Sequence, residues 1–340
     1  MKAMGIRAFG GRERLALLDV PCPAPGPGEV RIRIAASGVN PIDWKIREGL
    51  RQDRLPHVFP VVLGWEAAGT IDAIGEGAGK GAGAGDGEAA GAPSRDGAAD
   101  WAVGDAVCAY ARQPVVHAGT YAEAIVLPAA SVARAPRSID AVHAACLPLA
   151  GLTAWQALDA LALQAGETLL IHAAAGGVGA FAVQLARVRG ARVLGTASPA
   201  NHAWLRELGC EAVIDYRAGP VHTAVREVVP TGVDAVLDGA GGEALHDNLG
   251  AIRDGGRLVT LVEQPTDPIF AQRGLRCAWI FAEPNGEQLA EIAALVDAGR
   301  LGVHVDAIFP LEEAARAHER LEARHVRGKL ALRIGRTSAS

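Results

Sequence analysis

Along the first third of the chain, apolar and polar residues alternate over short runs. In Glu29–Ala35, Val30, Ile32 and Ile34 fall on one face and Arg31 and Arg33 on the other, which predicts a half-buried strand. Pro21, Pro23, Pro25, Gly26, Pro27 and Gly28 lead into it as a stiff turn. Ala67–Ile74, Asp105–Tyr110 and Tyr121–Leu127 read as further strands, and the Gly-Asp and Pro punctuation between them predicts a small barrel-like β domain. After residue 138 the pattern changes to α/β. Thr168–His172 is a buried strand, and Gly177–Arg189 is a helix with Val178, Phe181, Ala182 and Leu185 on one face. Arg192–Thr196 is the next strand, and the helix Ala200–Leu208 stops at Gly209. Val213–Asp215, Val233–Leu237, Arg257–Val262 and Arg276–Phe281 continue the strands. Such alternation predicts a doubly wound parallel sheet. Asn285–Ala298 is a last long helix, with Leu289, Ile292, Ala293 and Val296 as its apolar stripe. Lys329–Ile334 is a closing strand able to return to the first domain.

Between Gly75 and Gly97 the texture is different. Nine of 23 residues are Gly and most others are Ala, Asp or Glu, too little apolar surface to offset the entropy of ordering. This segment is expected to be a flexible insert rather than a lid. With 340 residues the chain is long enough for two domains. The net charge is −5 and the basic residues form no run, which argues against nucleic acid and against a polybasic membrane anchor. The longest apolar stretch, Leu169–Ala186, is interrupted by His172, Gln184 and glycines, so it reads as strand–turn–helix and not as a membrane span. The five cysteines are widely spaced and include no Cys-x-x-Cys, so a reducing compartment is expected. The N-terminal residues lack a signal-type apolar core, and the expectation is a cytoplasmic protein.

The segment His172-Ala173-Ala174-Ala175-Gly176-Gly177-Val178-Gly179 follows a buried strand and opens a helix. In that context a Gly-rich turn cradles a pyrophosphate on free N–H groups at the positive helix end. Gly176 lets the backbone approach phosphate, and Gly179 lets helix and sheet pack closely. Ala174 stands where the first Gly of Gly-x-Gly-x-x-Gly is usual. The following strand ends Leu194-Gly195-Thr196-Ala197-Ser198, with no carboxylate to hold a ribose 2′-hydroxyl, so NADPH is expected over NADH. Ser198, Asn201, His202 and Arg217 are candidate donors to a 2′-phosphate, and Tyr216 is placed to pack on adenine or reach that phosphate. Ser198 is equally a helix cap. Ala175, Gly176, Gly177, Val178, Gly239, Ala240, Leu261 and Val262 lie at the loop and at strand ends expected to line the cofactor cleft.

Pro27-Gly28-Glu29-Val30, Gly38-Val39-Asn40-Pro41-Ile42-Asp43, Gly104-Asp105-Ala106-Val107, Ala150-Gly151-Leu152-Thr153-Ala154-Trp155, the Ala174–Gly179 loop and Gly328-Lys329-Leu330 together carry a resemblance. The chain resembles the medium-chain dehydrogenase/reductase superfamily, in its zinc-independent quinone oxidoreductase branch. The resemblance implies an α/β protein: a GroES-like β-barrel catalytic domain from residues 1–128 and 283–340, with the insert at 75–97, around a Rossmann domain over 129–282. It implies a homodimer through the sheet edge near Arg276–Phe281. Where the zinc branch has metal ligands this chain has Asn40, Trp65 (in Gly64-Trp65-Glu66) and Leu149, and the four Cys of a structural zinc lobe are missing, so no metal site is expected.

Without a metal to polarise a carbonyl, the expected reaction is hydride transfer from NADPH to a quinone or an activated enone. Asn40 is the candidate beside the nicotinamide or acceptor oxygen, with a turn role as the alternative. Asn40 and Asp43 are the candidate catalytic residues, Asp43 being expected to fix the loop by hydrogen bonding rather than to act as an acid. By the resemblance Thr153 approaches the nicotinamide, or else it bonds back within its helix. By the resemblance Lys329 lies near the 2′-phosphate, or else is a solvated surface lysine. Trp44 and Trp65 shape the acceptor pocket or simply pack. His143, His172 and His318 receive no chemistry, and Glu291, Glu312, Glu313 and Arg316 read as solvated charges. Two rivals remain. One is an enoyl-thioester reductase, although no basic patch for a phosphopantetheine or CoA group stands out. The other is a non-catalytic NADPH-binding protein.

Overall fold

The computed structural model describes residues 1–79 and 100–335, so residues 80–97 of the expected insert lie outside the described residues. The barrel domain contains β1 (Lys2–Ile6), β2 (Ala16–Asp19), β3 (Glu29–Val39), β4 (Val61–Val62), β5 (Glu66–Ile74), β6 (Ala106–Tyr110), β7 (Ala124–Pro128) and β8 (Val132–Arg134). Among the described residues the α-helix between these strands is α1 (Pro41–Arg47), which starts where β3 ends. Helices α2 (Ala141–Ala144) and α3 (Pro148–Ala160) lead into the second domain. There, β9 (Thr168–Ile171), β10 (Arg192–Thr196), β11 (Ala212–Ile214), β12 (Val233–Asp238), β13 (Ile252–Thr260) and β14 (Arg276–Trp279) alternate with α4 (Gly177–Val188), α5 (His202–Leu208), α6 (Val221–Val228), α7 (Glu243–Ala251) and α8 (Pro268–Gln272). The chain ends through α9 (Gly286–Asp297), β15 (Val305–Pro310), α10 (Ala314–Glu322) and β16 (Lys329–Arg333).

The two expected domains are present. The second domain's sheet runs β11-β10-β9-β12-β13-β14, parallel throughout. This order reverses between β9 and β12, and in open parallel sheets the crevice at such a switch point receives the ligand. All four residues of β9 are buried, because helices cover both faces. The barrel's larger sheet runs β15-β16-β3-β5-β6-β8, with β7 also on β3. Strand β16 returns to the first domain as expected, antiparallel to β3 with Leu330 opposite Val39. This pairing carries Lys329 back to the end of β3, where Asn40 begins α1. Strand β8 pairs with β6, so the expected boundary at 129 falls before a strand that belongs to the barrel. The stripe of α9 is buried at Leu289, Ile292, Ala293 and Val296, as its spacing predicts.

Some boundaries move for physical reasons. The strand expected at Tyr121–Leu127 starts only at Ala124, because Tyr121 is held in a turn by bonds to Leu63 and Met4 and aims its ring inward. The helix expected from Ala200 begins with a 3₁₀ turn over Pro199–Asn201. Ser198 makes no side-chain cap there, which corrects the capping alternative.

Candidate functional site

Where β3 gives way to α1, three polar side chains are buried together. Asn40, Glu66 and Lys329 are each at most 4% exposed. The Lys329 ammonium pairs with Glu66 Oε1 at 2.6 Å, donates to Asn40 Oδ1, and lies 3.4 Å from the Val39 carbonyl. Asn40 Nδ2 donates to the same Glu66 oxygen at 2.8 Å, and Glu66 Oε2 accepts the Leu149 N–H at 2.7 Å. An ammonium can only donate, so it selects the amide oxygen of Asn40 and turns the amide nitrogen towards Glu66. One N–H of that amide is used on Glu66 and one remains. Gly38 makes the room: a Cβ there would sit 2.2 Å from Glu66 Oε1.

A second chain of bonds fixes the loop from behind. Asp43 Oδ2 accepts the Asn40 backbone N–H at 2.8 Å and the Tyr121 hydroxyl at 3.0 Å, so Asp43 is tied to the Asn40 backbone. Asp43 Oδ1 is buried and has no partner among the described residues. His318 Nε2 lies 3.3 Å from the Tyr121 oxygen, and its Nδ1 lies 3.1 Å from Arg47 Nη1. Arg47 cannot accept, so Nδ1 must, and the proton of the neutral ring sits on Nε2 facing Tyr121. The order is directional: Arg47 to His318, His318 to Tyr121, Tyr121 to Asp43. Arg47 is in turn anchored by Glu322 at 2.8 Å.

Burial pushes the Asp43 carboxyl up to about 7, against the bonds from Asn40 and Tyr121 that favour its anion. Burial, with Arg47 and Arg12 nearby, holds His318 down at about 3. The two act on stability with opposite signs. Below 6.5 the unfolded imidazole takes up a proton that the folded one refuses, so this term lowers stability as pH falls from 6.5 to 3. The folded Asp43 keeps its proton up to about 7 while the unfolded one releases it near 3.8, so this term is complete below 3.8 and lost as pH rises to 7. Between 3.8 and 6.5 the slopes oppose. Asp43→Asn is expected to lose about 2 kcal/mol between pH 6.5 and 5 in urea unfolding, while the wild type stays nearly level. Equal pH slopes in the two proteins would contradict this.

Across the cleft, the loop after β9 ends in α4, whose N-cap Gly176 makes no side-chain cap, leaving the first helical N–H groups for a ligand. Gly176 is bridged to Gly328, and the Gly328 N–H donates to the Ala175 carbonyl at 2.9 Å, so the loop is braced by the segment that carries Lys329. Gly177 and Val178 form the first turn of α4. Gly239, Ala240, Leu261 and Val262 follow β12 and β13 at the same sheet edge. Asp238 Oδ1 ties down the Ala240 N–H at 3.0 Å, and the Thr260 hydroxyl holds the Val262 N–H at 3.2 Å.

Ser198 and Asn201 lie beyond β10, 3.3 Å apart through Asn201 Nδ2, and the exposed Tyr216 ring is covered by Arg217. His202 Nε2 lies 3.1 Å from the Ala197 carbonyl. Thr153 Oγ1 donates to the Leu149 carbonyl at 2.7 Å, the helix-internal alternative, which leaves its oxygen only as an acceptor. Lys329 is a correction to both expectations. Its ammonium is neither solvated nor beside Ser198, because the Glu66 charge draws it inward and its three hydrogens all have partners.

Residues 26–137 match the family model of an alcohol dehydrogenase GroES-like domain, and residues 208–332 that of a zinc-binding dehydrogenase. A quinone oxidoreductase from Coxiella burnetii superposes with a TM-score of 0.83 at 32% identity, covering 98% of this chain and 99% of that one. The chain belongs to the medium-chain dehydrogenase/reductase superfamily. Within it, a 2-haloacrylate reductase of a Burkholderia species is 32% identical over 317 residues, 87% of this chain and 88% of the relative. The Escherichia coli quinone oxidoreductase, solved with NADPH, superposes with a TM-score of 0.82 at 27% identity, over 98% of this chain and 100% of that one.

Zinc, which one family description names, does not fit the donor set. Trp65 packs its ring against Tyr110 and Phe281, Leu149 has no side-chain donor atom for a metal, and the space beside Asn40 holds the Lys329 ammonium. Among the described residues no three His, Cys, Asp or Glu side chains lie together as a metal site. Sequence reasoning missed Glu66, Tyr121, His318 and Arg327. Glu66 was legible as an acid beside an apolar run. The other three meet their partners across 78 to 271 positions, and no local pattern reports that.

Proposed function

We propose that this protein is a cytoplasmic, NADPH-dependent oxidoreductase that reduces a quinone or an activated enone. The observation that carries this reading is the juxtaposition across the crevice: an uncapped α4 N-terminus braced by Gly328 on one side, and the Asn40–Glu66–Lys329 cluster on the other. The braced loop suits a pyrophosphate, and the close approach at Gly179, where a Cβ would meet the Ala173 carbonyl at 2.4 Å, suits the tight strand–helix packing of such sites. When bound, the reduced coenzyme supplies hydride. Asn40 presents its remaining amide N–H to the acceptor oxygen, with an orientation held by Lys329 and Glu66. Quinone oxidoreductase and haloacrylate reductase relatives support the reaction class. The purified protein is mixed with NADPH and a panel of quinones and enones, and acceptor-dependent loss of nicotinamide absorbance is expected. No loss with any acceptor would remove the proposal.

Arg327 supports the choice of NADPH. Its Nε donates to Asn201 Oδ1 and its Nη2 to the Ala200 carbonyl, both at 2.9 Å, and its cation lies 5.4 Å over Trp204. No carboxylate among the described residues lies within ion-pair distance of it. This charge therefore faces the Ser198 end of the cleft, where no acid follows β10. Arg327→Ala is expected to raise the KM for NADPH about tenfold and to leave that for NADH within about twofold. Equal effects on both coenzymes would refute the assignment.

We also infer a homodimer through β14. This strand pairs only with β13 among the described residues, and an open edge invites a second copy. Light scattering at about twice the chain mass is expected, and a monomer would exclude it.

A further inference from the structure

Trp65, Phe281 and Trp279 form a run of aromatic rings that ends under an arginine. Trp65, which precedes Glu66, meets Phe281 edge-on with centroids 5.9 Å apart, and Phe281 stacks on Trp279 with the planes within 3°. Trp279 ends β14, at the carboxyl edge of the sheet where ligands bind. Arg54 reaches from the barrel domain to lie 5.8 Å over the Trp279 ring, and so spans the mouth of the cleft. The Trp279 indole N–H has no acceptor among the described residues.

Two more cations follow back along the same segment. Arg51 lies one turn before Arg54. Lys45 sits on α1, five residues past Asn40, about 7 Å further along the helix axis. Burial together with Arg51 and Arg324 depresses the Lys45 ammonium, and burial together with Arg54 depresses Arg51. No carboxylate among the described residues pairs with Lys45, Arg51 or Arg54, and Asp53 on the same loop forms no ion pair. Lys45 and Arg51 are half-buried while Arg54 is exposed, and half-buried like charges without a counterion are costly unless a ligand supplies one. The sequence hid this group, because its members are interleaved with Gln52, Asp53 and apolar residues.

We propose that Lys45, Arg51 and Arg54 form a binding site for an anionic group carried by the hydride acceptor. The inference rests on the reductase reading above and narrows it from any quinone or enone to an acceptor with a negative charge beyond its reactive double bond. That charge is either a carboxylate on the acceptor itself or the phosphates of a thioester carrier.

Two matched pairs of acceptors separate these sources: trans-4-oxo-2-pentenoate against its methyl ester, and crotonyl-CoA against the crotonyl thioester of N-acetylcysteamine. Each is assayed for kcat/KM with NADPH, and for affinity by calorimetry to the protein loaded with NADP⁺. The anionic member of at least one pair is expected to be favoured by about tenfold or more, and less so at high salt. Replacing all three cations by Gln is expected to cut that preference about tenfold, while Lys45→Arg with Arg51→Lys and Arg54→Lys retains it. Anions favoured in neither kinetics nor affinity, or favoured equally in the Gln variant, would overturn the proposal. Tighter binding of an anion with no turnover of any acceptor would uphold the cationic site and remove the reductase reading. Equal turnover of both members of each pair, with equal affinity, would do the reverse.

Discussion

Lys329→Met is expected to destabilise the protein by about 3–5 kcal/mol, because it leaves the Glu66 carboxylate buried without its counter-charge. Glu66 is fully buried, and Lys329 at 2.6 Å is its only ionic partner among the described residues. Removing the ammonium also frees Asn40 Oδ1 and lets the amide rotate. Thermal unfolding should show a midpoint lower by roughly 10 °C. The double variant Lys329→Met with Glu66→Gln, which removes the stranded charge, should recover at least half of the loss. A cost below about 1 kcal/mol for the single variant would mean that water reaches Glu66 and that the cluster is not the closed unit described above.

Gly179→Val is expected to abolish tight coenzyme binding. A Cβ at 179 would lie 2.4 Å from the Ala173 carbonyl oxygen and 2.7 Å from Ala174 Cα. Both are backbone atoms of the loop itself, so α4 would have to retreat from β9 and carry its N–H groups away from the phosphates. A displacement of about 1 Å at such a site is worth about 100-fold. Titration with NADPH should show at least that loss of affinity, together with a lower unfolding midpoint. Gly176→Ala is the control: its Cβ meets only the Ala173 carbonyl, at 3.3 Å. It should keep the unfolding midpoint while weakening NADPH, because the backbone no longer comes as near the ligand. Wild-type affinity in Gly179→Val would show that the coenzyme does not depend on this loop.

The elements with strong local periodicity were legible in the chain. The strand Arg192–Thr196 and the buried stripe of α9 lie where their patterns predict, as does the strand–loop–helix at 168–188. The reason is that a strand or a helix face is chosen by residues two to four positions apart, all visible in one window. Asn40 and Asp43 were singled out through the family resemblance; the bond between them is local, from the Asn40 backbone N–H to a carboxylate three residues on at a helix start. Thr153 remained open between two roles until its bond to Leu149 was seen.

By itself, then, the sequence determined the two-domain α/β plan, the nucleotide-type loop and the lack of metal-ligand side chains at positions 40, 65 and 149. Only the tertiary structure decided what surrounds Asn40. Strand β16 brings Lys329 back across more than 260 positions to Glu66, and α10 brings His318 to Tyr121. These contacts are electrostatic and long-range in sequence. A lysine six residues before the last described residue carries no local mark of whether it will face water or a buried carboxylate. The same holds for Lys45, Arg51 and Arg54. Charge adds through space, and only the fold says which charges have been left without a partner.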